Sequence, residues 1–148
     1  MTPDVTPRRM AMPPSLSIGQ FGIGWAAALV TILVLDGLWL GLIAKDLYKN
    51  EMGSLLAVQI RVLPAIVFYA VYPAALVFLT VATPPGSWPA AALRGAVLGL
   101  AAYGAYDLTN MAIVKDWPVR ISLIDWAWGG LIGAAAAAAA YAATWGRS

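Results

Sequence analysis

Four stretches of this 148-residue chain each run for roughly 21 to 24 residues with almost no charge. At ~1.5 Å of rise per residue, a helix of that length reaches across a hydrocarbon layer ~30 Å thick. The stretches are residues 21–44, 62–82, 91–114 and 121–144. A helix that is apolar all round has no wet face to present, so it belongs in lipid or in the core of a very large protein. With 61% apolar and only 11% charged residues, the chain is too poor in charge to cover a soluble domain. The sequence therefore predicts an all-α integral membrane bundle of four transmembrane helices, forming one domain over residues 21–145.

Residues 1–20 carry Pro3, Pro7, Pro13 and Pro14 beside Arg8 and Arg9, a composition that predicts a disordered tail. The arginine pair is not followed by the hydrophobic core that an export signal needs, and Met10 and Met12 offer alternative starts. A polar connector with Lys45, Asp46, Lys49 and Glu51 separates the first two spans, and Pro73 is expected to kink the second. TPPGSW, residues 83–88, is a turn, and Lys115-Asp116-Trp117-Pro118 stops the third span. Between helices in lipid, small residues permit close approach. Gly37 with Gly41, Gly95 with Gly99, Gly129 with Gly133, and the alanine run 134–140 are thus candidate seams. Trp88, Trp117 and Trp145 stand at span ends, where indoles anchor at the interface.

The chain has no cysteine and no histidine. That excludes disulfides, thiolate chemistry, histidine-ligated haem, the usual zinc sites and a histidine base. No cofactor and no metal are expected. The nine Lys and Arg residues are dispersed, so no basic patch points to nucleic acid.

In an up-and-down bundle the first and third connectors share one side of the membrane. Asp36, Arg61, Asp107, Asn110 and Asp125 all fall toward that side. An aspartate inside a span costs roughly 2.5–3.5 kcal/mol on insertion scales, so Asp36 and Asp107 should turn inward. Tyr103, Asp107 and Asn110 are spaced four and then three residues apart, on one helix stripe that also adjoins Tyr106. Asp36 and Trp39 align likewise, Trp126 and Trp128 lie beside Asp125, and Arg61 is the expected cationic partner of one carboxylate. Two uses fit this cluster: hydrogen bonds that set helix register, or a site for a ligand or a proton. The candidate site comprises Asp36, Trp39, Arg61, Tyr103, Tyr106, Asp107, Asn110, Asp125 and Trp128.

Asp36 runs through an apolar stretch to Lys45-Asp46, and Asp107 runs likewise to Lys115-Asp116, a pattern compatible with two parallel helix-pair repeats. LDGLWLG (35–41) with Lys45 and Tyr48, YDLTN (106–110) with KDWP (115–118), and DWAWG (125–129) together resemble a bacterial family of predicted membrane proteins, domain of unknown function 2177. The resemblance covers about residues 21–144 and implies a four-helix membrane protein with no established activity. Three functions fit the residues: a site for a lipid-derived or small amphipathic ligand, a proton-coupled carrier acting as a dimer, or an assembly subunit of a larger membrane complex. The expected surroundings are the lipid bilayer of a bacterial inner membrane. Lys45, Lys49, Arg61, Lys115 and Arg120 draw the polar-cluster face to the cytoplasm and leave both termini outside.

Overall fold

The computed structural model describes residues 15–56, 59 and 61–146. Among them every regular element is helical: α1 (Ile18–Leu38), a π turn (Trp39–Ile43), α2 (Lys45–Met52), a 3-10 turn (Gly53–Leu55), α3 (Val62–Thr80), α4 (Trp88–Ile113) and α5 (Val119–Thr144).

The first helix starts earlier than its apolar run suggests. Ser17 Oγ accepts from the Gln20 amide at 3.2 Å, while Gln20 Oε1 accepts from the Ser17 amide at 3.0 Å. This reciprocal cap satisfies two of the donors a helix start leaves free. The Leu16 amide donates to the Ala82 carbonyl, fixing the entry to α1 beside the exit of α3. The expected disordered tail therefore gives way to structure by Ser15, and its first fourteen residues lie outside the described ones.

The polar connector after the first span is also helical. In α2, Leu47, Tyr48, Glu51 and Met52 are half-buried, whereas Lys45, Asp46, Lys49 and Asn50 are exposed. That is a short amphipathic helix lying on the bundle. It ends at Gly53, whose φ of +46° favours glycine. Pro73 does not interrupt α3, which continues to Thr80 as one helix. Proline removes one donor from the ladder, and the Trp25 indole of α1 supplies another to this stretch, donating to the Ala70 carbonyl at 3.0 Å.

α5 is the helix that touches all four others. Against α4 the approach brings backbone onto backbone: a methyl group on Gly99 would collide with the Gly129 carbonyl, and one on Gly95 with the Gly133 carbonyl. Two of the three expected glycine pairs thus face each other. Gly37 and Gly41 face open space instead. The remaining core joins Ala28 and Ile32 of α1, Leu76 and Val77 of α3, and Ile132, Ala136, Ala137 and Ala140 of α5. Outside it the surface stays apolar, with Val30, Leu33, Leu63, Val71, Phe78 and Leu93 all exposed. Residues Ile18–Leu42, Val62–Thr80 and Val119–Thr144 form three helices long and apolar enough to cross a membrane. α4, with Arg94 and Asp107 on it, is not among those three.

The glycine seam gives a direct test. Gly99→Ala should destabilise the protein by about 2 kcal/mol through overpacking. Gly37→Ala should be neutral or slightly stabilising, because alanine is the better helix former. Thermal unfolding in detergent compares them, and equal midpoints would contradict the close α4–α5 approach.

Candidate functional site

About two helical turns in from the α2 end of the bundle, or ~10 Å, three aspartates lie on three helices. Asp36 of α1 is 8% exposed and has two donors: the Tyr69 hydroxyl of α3 at 2.9 Å, and the Trp128 indole of α5 at 3.2 Å. The Trp128 ring also stacks on Trp39, with centroids 4.6 Å apart and planes 12° off parallel. Trp39 opens the π turn, a winding that recurs at functional positions.

Asp125 of α5 accepts from the Tyr48 hydroxyl of α2. α2 follows the first span, and a 3.4 Å ion pair between Glu51 and Arg120 gives it a second attachment to α5. Burial first, and the bond to Asp125 next, hold the Tyr48 hydroxyl well above the ordinary phenol range, so it remains a donor at neutral pH.

Asp107 of α4 is 3% exposed and has Ser122 and Asp125 near it. Its Oδ2 is buried without a hydrogen-bond partner. The Tyr72 hydroxyl of α3 is in the same condition. Ser122 in turn accepts the Trp117 indole at 2.7 Å.

Tyr103 joins these groups. Its ring rests against Gly129, where any side chain would strike it, and it lies within electrostatic range of Asp36, Asp125, Tyr69 and Tyr72. The same ring lines a crevice of about 310 Å³ between α3 and α4, together with Phe68, Ala102 and Tyr106. A larger groove of about 660 Å³ runs along α3 past Leu63, Val67, Phe68, Val71 and Tyr72. Phe68 is common to both, and it stacks on Tyr72 at 5.2 Å.

Of the residues expected at the site, the structure brings together Asp36, Trp39, Tyr103, Asp107, Asp125 and Trp128. Tyr106 is 54% exposed, sits at the crevice mouth and meets Trp117 edge-on. Asn110 is half-buried, with no side-chain hydrogen bond among the described residues. Arg61 departs from expectation: it is exposed at the start of α3 and pairs with none of the three aspartates. A long side chain at a helix end reaches water more cheaply than it enters the bundle. Tyr48, Tyr69 and Tyr72 were missed. The signal for two of them is present, since Tyr69 and Tyr72 are three residues apart on one stripe of an otherwise apolar helix.

Trp145 likewise does more than anchor at an interface. Its indole donates to the Val81 carbonyl at 2.8 Å, tying the end of α5 to the end of α3.

Long apolar helices with their ionisable side chains turned inward mark a helical membrane protein. The chain belongs to the family described as predicted membrane protein, domain of unknown function 2177, which it matches over residues 21–142. No curated protein and no solved structure matches it.

The bond between Tyr69 and Asp36 is open to test. Tyr69→Phe removes a donor to a buried carboxylate and should cost about 1.5–3 kcal/mol. Tyr106→Phe, at an exposed hydroxyl without a hydrogen bond, should cost little. Denaturant unfolding in mild detergent reads the difference, and a neutral Tyr69→Phe would remove Tyr69 from the site.

Proposed function

We propose that this protein binds a lipid-derived or small amphipathic molecule that enters sideways from the bilayer, its chain between α3 and α4 and its head among the aspartates. The observation that carries the reading is the crevice at Tyr103. The ring is part of an apolar wall around a space of a size typical of small-molecule sites, and its hydroxyl lies within electrostatic range of Asp36, Asp125 and the unpartnered Tyr72 hydroxyl. A polar end beside an apolar groove suits a molecule built the same way.

In this reading α4 is the fourth span. It is 26 residues long, and its glycine seam keeps it against α5. Arg94 lies near one end of α4 and donates to the Thr80 carbonyl at 3.2 Å, while Asp107 is buried. Neither charge then faces hydrocarbon unpaired at mid-depth.

The crevice can be filled from within. Ala102→Phe should leave the unfolding midpoint within a few degrees of wild type but remove whatever small molecule co-purifies, as read by native mass spectrometry. Retention of the same bound mass in the filled variant would exclude this crevice as the site.

The reading also carries an orientation. Lys45, Lys49, Arg61, Lys115 and Arg120 are exposed at the α2 end; the sequence sets against them Arg94 and Arg147, with Arg8 and Arg9 distant from the first span. Basic residues near span ends favour the cytoplasmic side of a bacterial inner membrane. A reporter fused after residue 148 that works only outside the cytoplasm should be active, and one that works only inside should be silent; the reverse pattern would invert the protein.

A further inference from the structure

We propose that the head group accepted at this site is a cation, an ammonium carried on an apolar chain. The inference rests on the amphiphile reading above and names its chemistry.

Three observations converge on it. The first is charge: Asp125 lies within electrostatic range of both Asp36 and Asp107, and among the described residues no Lys or Arg pairs with any of the three. Buried carboxylates without a counter-ion are costly, and a bound cation would relieve that cost. The second is the wall. Trp39, Trp128, Tyr69, Tyr72 and Tyr103 surround the carboxylates, and Phe68 stacks on Tyr72. Aromatic faces carry negative charge density, and such rings combined with carboxylates make a setting for ammonium ions.

The third is the balance of donors and acceptors. The Tyr69 and Trp128 donors are committed to Asp36, and the Tyr48 donor to Asp125. Left over are the Asp107 Oδ2 and the Tyr72 hydroxyl, both more than nine-tenths buried and without partners, and one donor, the Trp39 indole N–H, which lies beside the Tyr48 hydroxyl. A carboxylate oxygen only accepts, and a hydroxyl oxygen accepts as well. A head group that brings positive charge uses what remains. An anionic head would meet three carboxylates and, among the described residues, no cation paired with them. The chain then has the crevice between α3 and α4, past Phe68 and Ala102, to lie in.

The test uses the full chain in a nonionic maltoside detergent with three probes of one chain length: dodecylammonium, dodecanol and dodecanoate. Saturable binding, followed by native mass spectrometry and tryptophan fluorescence, should favour the ammonium probe by about tenfold or more over the other two. Asp36→Asn should weaken that binding by about tenfold. Asp125→Asn should do the same, which keeps the test usable if one variant fails to fold. Gly37→Ala, on an open face of α1, should leave it unchanged. Equal binding of all three probes would overturn the cation and spare the amphiphile site. Saturable binding of none would overturn both.

Discussion

Where α4 meets α5, backbone touches backbone. Gly95 and Gly99 present no side chain to the carbonyls of Gly133 and Gly129, so the two helices approach as closely as their main chains permit. Small residues at a helix seam allow dense packing of this kind, which holds two helices together without a hydrophobic force between them. The geometry of the site follows from it. Gly129 meets Gly99 on one side and receives the Tyr103 ring on another, and that ring lines the crevice with its hydroxyl in electrostatic range of two carboxylates. One turn away, Gly104 leaves room for the Trp126 indole, which donates to the Leu100 carbonyl at 2.8 Å.

That indole belongs to a wider pattern. Trp25, Trp126, Trp128 and Trp145 each donate to a group on another segment, three of them to main-chain carbonyls and one to Asp36. Tryptophan has a large apolar body and a single donor, so it ties helices together without leaving a buried acceptor unmatched. The small-residue seam sets how close α4 and α5 come, and these bonds help fix how α1, α3 and α5 sit around them.

The all-helical architecture and three of the long apolar helices are legible in the sequence, because lipid constrains a helix by length and composition alone. Helix starts and stops moved by only a few residues, shifted by the Ser17 cap and by Ser87 with Pro89 ahead of α4. The inward turn of Asp36 and Asp107 was legible for the same reason. What was not legible depends on contacts between distant segments. α2 is eight residues long, too short to be stable by itself, and exists against α5 through Tyr48 and Glu51. The tyrosines that serve Asp36 and Asp125 read as ordinary apolar-run or connector residues until their hydroxyls are seen to face carboxylates. Arg61 misled in the opposite direction: it is the right charge in the right part of the chain, but a position at the end of a helix lets it stay in water.

The crevice between α3 and α4 has a consequence for how any occupant would be measured. A guest arriving through hydrocarbon meets the protein at the concentration it reaches in the membrane, which its partition coefficient sets. Each methylene buried in lipid is worth ~0.8 kcal/mol, so lengthening the chain raises occupancy several-fold per carbon without one added contact to Phe68 or Tyr103. Apparent affinity expressed per volume of water would then follow the amount of lipid or detergent present, and only mole fractions in the apolar phase would report the strength of the site itself.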